Sequence, residues 1–211
     1  MAKFNCPSCG AEIEFLSPIS VYTVCKSCGS MVVRNDKNVE AIGKMAQLPD
    51  EITPLQIGTG GRYKDKNFTL IGRARMAWDA GFWNEWFMYI DDGTKAWLAE
   101  AQGNLAVCFE VDAKQKDLSA FSEVGKTVQI NGKKFTTSDI KKAECVGSEG
   151  ELPYQAPKGR KVKYVDMSNR DGEFASVEFS DNDQRIYTGE YVEFRDLNLS
   201  NLRELDGWSP S

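Results

Sequence analysis

The sequence predicts an all-β protein, a small cysteine-bearing ribbon followed by two copies of one β unit. Three observations carry that prediction: two cysteine pairs near the start, an ungapped internal repeat, and short apolar runs separated by tight-turn signals. The 211 residues are 41% hydrophobic and 27% charged, a globular profile with room for a sizeable core.

The N-terminal ribbon rests on cysteine spacing. Cys6-Pro-Ser-Cys9 and Cys25-Lys-Ser-Cys28 are separated by fifteen residues. Two thiolates three positions apart at a turn can face one ion at about 2.3 Å, and two such knuckles complete a tetrahedron. Gly10 and Gly29 follow the pairs, and residues free to adopt positive φ let the backbone turn its N–H groups toward the sulfurs. The reading is one Zn2+ held by Cys6, Cys9, Cys25 and Cys28, structural because four protein ligands leave no open position. Two disulfides or a redox pair are the alternatives; nothing suggests export, which disulfides would need. Between the pairs, "AEIEFLSPISVYTV" supplies two short strands. The ribbon spans 1–45 and a linker 46–54, with a short helix expected over Val39–Leu48, ended by Pro49.

The two β units rest on the repeat. "IGTGGRYKDKNFT" (57–69) matches "VGKTVQINGKKFT" (124–136) without gaps, setting Phe68 against Phe135. Further on, "YIDDG" (89–93) aligns with "EFSDN" (178–182), so the shift grows from 67 to 89, and the inserted residues fall in the Gly- and Pro-rich "SEGELPYQAPKGRK". The copies span 55–115 and 116–199, with a tail over 200–211. Asn131-Gly132 and Asp92-Gly93 mark tight hairpins. Units of about five short strands close into small open barrels, SH3-like or OB-like, or pack as sandwiches. Their cores are expected to be separate from the ribbon's, so that losing the metal leaves them folded.

The order of a CPSCG-type ribbon, "LQIGTGGRYKDKNFTLIGRARM", "WNEWFMYIDDGTKAWLAEAQG" and the late "GELPY" resembles the bacterial domain-of-unknown-function family 4178. The "WNEW", "DDG" and "EAQG" block is the most characteristic part. The resemblance implies an all-β protein with a zinc ribbon in front and carries over no catalytic residue. The second copy has "DGEF" where the first has "WNEW", so a site in one copy is not assumed in the other.

Composition limits function. The chain has no histidine, which removes Ser-His-Asp and Cys-His nucleophile systems and any His-ligated metal. Asp91-Asp92 before Gly93 reads as a turn rather than an acid/base pair, and "GTGGR" is not followed by a helix, so phosphate cradling is not expected. Cys108 and Cys145, among apolar neighbours, read as buried thiols. No leader or membrane-length apolar run occurs, so the expectation is a non-catalytic cytoplasmic protein without membrane insertion. The formal charge of -5 argues against a duplex-binding footprint.

Tryptophans carry the functional reading. On an extended strand Trp86, Met88 and Ile90 share one face and Phe87 and Tyr89 the other; one face fills the barrel and the other needs cover from the second copy, the ribbon or a partner. Trp86 and Trp97 are expected in the core. Trp78, Trp83, Asn84 and Glu85 are expected at a groove that binds a protein or peptide partner, as in an adaptor. Nucleic-acid binding through the ribbon, barrel aromatics and the basic run Lys158, Arg160, Lys161 and Lys163 is the alternative.

Overall fold

The computed structural model describes residues 2–45, 48, 53–112, 121–180 and 183–207. The described elements are strands, apart from a short 3-10 helix, Phe194–Leu197, near the C-terminus. The ribbon opens with the hairpin β1 (Ala2–Asn5) and β2 (Glu12–Phe15), followed by the meander β3 (Tyr22–Val24), β4 (Ser30–Asn35) and β5 (Asn38–Lys44). β5 stands where a helix was expected. Val39 and Ala41 are half-buried at alternate positions and pair with Arg34 and Val32, while Ile42, which a helical stripe would bury, is 40% exposed. Pro49, the expected helix stop, lies outside the described residues.

The duplication holds residue by residue. β6 (Gly60–Tyr63), β7 (Lys66–Trp78), β8 (Gly81–Ile90), β9 (Lys95–Ala101) and β10 (Asn104–Val111) form an antiparallel meander. β11 (Thr127–Ile130), β12 (Lys133–Leu152), β13 (Lys161–Ser168), β14 (Glu173–Ser180) and β15 (Asp183–Val192) repeat it. Gly60 pairs with Thr69 and, 67 positions on, Thr127 pairs with Thr136. The Gly58 N–H donates to the Leu70 carbonyl at 2.8 Å, as the Gly125 N–H does to Thr137. A bulge falls between Leu70 and Gly72 on β7 and between Thr137 and Asp139 on β12. Phe68 and Phe135 are buried at the corresponding positions.

The later match needs correction. Tyr89 pairs with Lys95 as Ser168 pairs with Phe174, and Cys108 with Trp97 as Tyr187 with Ser176, so the shift there is 79 rather than 89. Residues 89–93 correspond to 168–172, and the counterpart of "WNEW" is Val162-Lys163-Tyr164-Val165, not "DGEF". A strand running into an Asp-bearing turn recurs at several hairpins, so "EFSDN" resembled "YIDDG" one hairpin too late.

The two units share one ring. Along one edge of β7, Lys66–Thr69 pair with β6 and Gly72–Ala77 pair with β12, while β10 pairs with β15. The order β7-β8-β9-β10-β15-β14-β13-β12 therefore closes on itself. Each unit keeps its own core on the outer face of its half: Phe68, Leu70, Trp86, Met88 and Leu98 in the first, Phe135, Val165, Met167 and Val177 in the second. A third core, with Met76, Trp83, Phe87, Trp97, Tyr164 and Tyr187, fills the ring.

Close approach of backbones sets the seam. A Cβ on Gly72 would lie 1.7 Å from the Glu151 carbonyl oxygen, and one on Gly150, opposite Gly72, would lie 2.2 Å from the Ile71 carbonyl oxygen. Only glycine fits there.

The ribbon keeps a small core of its own, with Ile13, Phe15 and Val32, but it is also fastened to this ring, so the expected separation is incomplete. β3 pairs with the end of β12, Thr23 opposite Glu151 and Tyr22 opposite Leu152. Tyr22 and Val33 belong to the ring's core cluster. The Glu151 carboxylate accepts the Leu16 and Ser17 N–H groups at 2.8 and 3.3 Å. β12 is long enough to serve both bodies, a consequence of its 20 residues against 13 in β7.

Candidate functional site

The cysteine knuckles are two copies of one turn. The Gly10 N–H donates to the Cys6 carbonyl at 2.9 Å and the Gly29 N–H to the Cys25 carbonyl at 2.8 Å, with φ of 75° and 70° at the two glycines. The Cys6–Cys28 and Cys9–Cys25 sulfurs are each 3.8 Å apart, and all four lie within 4.8 Å of one another. A tetrahedron with bonds of about 2.3 Å has edges of about 3.8 Å, so the four sulfurs fit a metal ion. Ser30 stabilises one ligand as thiolate: its hydroxyl, 3.2 Å from the sulfur, and then its backbone N–H pull Cys28 down to about 6.

Strand parity divides the tryptophans. Trp86 and Trp97 are buried, as expected. Trp83, Asn84 and Glu85 are also buried, at 9%, 3% and 8% exposure, where a groove edge was expected; Trp78 is half-buried. The cause is the second unit, which covers the Trp83, Glu85 and Phe87 face of β8 by closing the ring. Trp83 packs between Trp78, ring centroids 5.3 Å apart, and Tyr164, at 5.0 Å and edge-on. Asn84 points the other way, donating at 3.0 Å to the Glu100 carboxylate that also accepts the Trp86 indole N–H at 2.9 Å.

Inside the ring is a cavity of about 270 Å3 whose wall draws side chains from all eight ring strands. Trp78, Trp83, Trp97, Tyr164, Phe174 and Tyr187 give it an aromatic lining, and Tyr191, 64% exposed, stands at its mouth. Three carboxyls, Glu85, Asp166 and Glu178, face one ammonium, Lys141, which is bound to Asp166 at 2.8 Å and Asp139 at 3.0 Å. Glu85 accepts from Trp83 Nε1 at 2.9 Å, Tyr164 at 2.7 Å and Tyr154 at 3.4 Å; burial pushes its pKa up against these bonds. Glu178 is 8% exposed, and its buried Oε2 has no hydrogen-bond partner. Burial, then the neighbouring Glu85, hold it well above the carboxylate range.

Sequence reasoning missed Glu178 and Tyr164. With the shift of 79, Glu85 corresponds to Tyr164 and Ala99 to Glu178, and each pair meets across neighbouring strands, Glu85 with Ala99 and Tyr164 with Glu178. The correct register is the signal that would have found them.

The remaining motifs are structural. Asp92 accepts the Thr94 N–H at 2.9 Å and pairs with Lys66, so Asp91-Asp92 is the β8–β9 turn. A Cβ on Gly61 would lie 2.5 Å from the Phe68 ring, which makes "GTGGR" a packing element. Cys145 and Cys108 are buried, as expected, and burial pushes Cys145 up to about 11 and Cys108 up as well. The basic run is divided: the Arg160 guanidinium lies 4.8 Å from the Tyr154 ring and the Lys163 ammonium 5.5 Å from Phe179. Among the described residues no helix is long and apolar enough to cross a membrane.

No curated protein and no solved structure matches the chain. One family model does, over residues 56–194, a range that takes in both β units and leaves the ribbon outside. The chain belongs to the family described as Domain of unknown function (DUF4178).

Proposed function

We propose that this protein is a non-catalytic binding protein that takes a small organic ligand inside the ring, with one Zn2+ in the ribbon as a structural cofactor. The observation that carries the reading is the aromatic, acid-bearing cavity walled by both units. A lumen of this kind suits a ligand a few rings or chain segments long, held by apolar walls and a few polar groups. The absence of histidine supports binding over proton-transfer chemistry. Zinc is the metal that four thiolates at tetrahedral spacing favour, and thiolate ligands together with two buried thiols suit a reducing compartment such as the cytoplasm. A protein or peptide partner is the second reading, favoured by Tyr191, which is exposed beside Phe174 at the cavity mouth.

Native mass spectrometry of protein purified from its own host tests the first reading. A small-molecule adduct is expected on the wild type and is expected to vanish in Ala99→Phe, which fills the lumen. An adduct that survives the filling places the ligand elsewhere.

A further inference from the structure

We propose that the ligand of the ring cavity is an organic cation, an ammonium or guanidinium group on an aromatic or aliphatic body, and that Glu178 is the residue that selects it. This rests on the cavity being the binding site, and it names the ligand class and the selecting group.

Four observations converge on that chemistry. Glu178 lines the cavity with a buried carboxyl oxygen that has no partner, an acceptor that a ligand donor would satisfy. The Arg185 guanidinium does not fill that role, because its Nε and one terminal nitrogen each lie 2.7 Å from Asp183. The lining carries three carboxyls and one ammonium, and Lys141 is committed to Asp139 and Asp166. Finally, indole and phenol faces surround the space, and such faces attract cations. Tyr154, whose hydroxyl donates to Glu85, already takes part in this interaction, with Arg160 and Arg185 at 4.8 and 4.5 Å from its ring.

Charge balance gives the recognition its logic. Glu85, with three donors, is the better-satisfied carboxylate, and two ionised carboxyls in one enclosure repel. A cation between them removes the repulsion, so Glu178 ionises as the ligand enters and its proton leaves to solvent. The charged groups acting on Glu178 are Glu85 from β8, Glu110 from β10, Arg160 from the β12–β13 connection and Arg185 from β15. The Tyr154, Tyr164 and Tyr187 hydroxyls and the Cys108 thiol are the titratable neighbours, and burial keeps all four protonated.

Calorimetry with three probes of one shape tests the inference: 2-phenylethylammonium, 2-phenylethanol and phenylacetate, each with wild type, Glu178→Gln and Ala99→Phe. The ammonium is expected to bind wild type at least about tenfold tighter than the alcohol, the acid weakest. Its binding enthalpy is expected to vary with buffer because a proton is released. Glu178→Gln is expected to erase the preference for the ammonium over the alcohol. Equal or stronger binding of the alcohol or the acid by wild type overturns the cation assignment while leaving the cavity reading intact. Failure of all three probes, or binding undiminished in Ala99→Phe, overturns both. The wild-type preference needs no variant, so it decides the matter even if Glu178→Gln does not fold.

Discussion

Trp83 and Trp86 lie three positions apart on β8 and serve different bodies. Trp86 is fully enclosed in the first unit's core, with its indole N–H on Glu100 and the Arg73 guanidinium 4.9 Å from its ring. Trp86→Ala is expected to cost about 3–5 kcal/mol, and Trp83→Ala to fall at the low end of that range because Trp83 lines the cavity while Trp86 is enclosed on all sides. Urea midpoints of the two variants check the order. Glu178 supplies a pH effect. Its folded pKa lies above the ordinary 4.5, so above that pH the folded chain holds a proton that the unfolded chain releases, and stability present below about pH 4.5 is lost as pH rises. Melting curves between pH 5 and 8 are expected to fall less steeply for Glu178→Gln than for wild type. Equal slopes would place the Glu178 pKa in its usual range. The division of β8 into Trp86, Met88 and Ile90 against Phe87 was legible in the sequence, because alternation is local. What covered the second face was not, since that depends on a pairing between strands far apart in the chain.

At the scale of elements, turn chemistry and register carry different information. The thirteen-residue match at a shift of 67 was reliable because it includes the glycine bend, the hairpin and the Phe-Thr pair together, and all three recur in the structure. The five-residue match contained little beyond a turn, and it slid by one hairpin. The β5 segment shows the same weakness: the apolar spacing over Val39–Leu48 suggested a helix, but pairing of Asn38–Lys44 with β4 decided the outcome there. Ring closure makes a sharper demand. Gly72 lies against the Glu151 carbonyl oxygen, which belongs to backbone and has little freedom to move. Gly72→Ala is expected to cost about 1–3 kcal/mol through overpacking and to speed amide exchange at the β7–β12 seam, including Ala74 and Ser148, before it affects β14. Uniform acceleration across the ring would mean that the seam is not the weak point.

On the scale of the whole molecule, the family match over 56–194 corresponds to the ring and its two outer cores, while the four-cysteine ribbon is attached to one end of β12. That attachment is more than a tether. Tyr22 is fully buried in the ring's core and its hydroxyl lies 3.1 Å from Ser148, whose own hydroxyl donates to the Ala156 carbonyl at 3.0 Å in the β12–β13 connection. A ribbon that unfolds on losing its metal therefore withdraws Tyr22 and Val33 from the ring and leaves the Glu151 carboxylate without the Leu16 and Ser17 donors. Burying an unmatched carboxylate is costly, so metal loss should weaken the ring as well. The four described tryptophans, Trp78, Trp83, Trp86 and Trp97, all lie on ring strands, so their fluorescence reports the ring and not the ribbon. Adding a chelator, or Cys6→Ser, is expected to lower the fluorescence-detected melting temperature by about 2–4 °C for each kcal/mol of coupling, in step with metal release followed by a colorimetric dye. A ring transition that stays in place while the metal leaves would show two independent bodies, and the shared core around Tyr22 would then contribute nothing to holding them together.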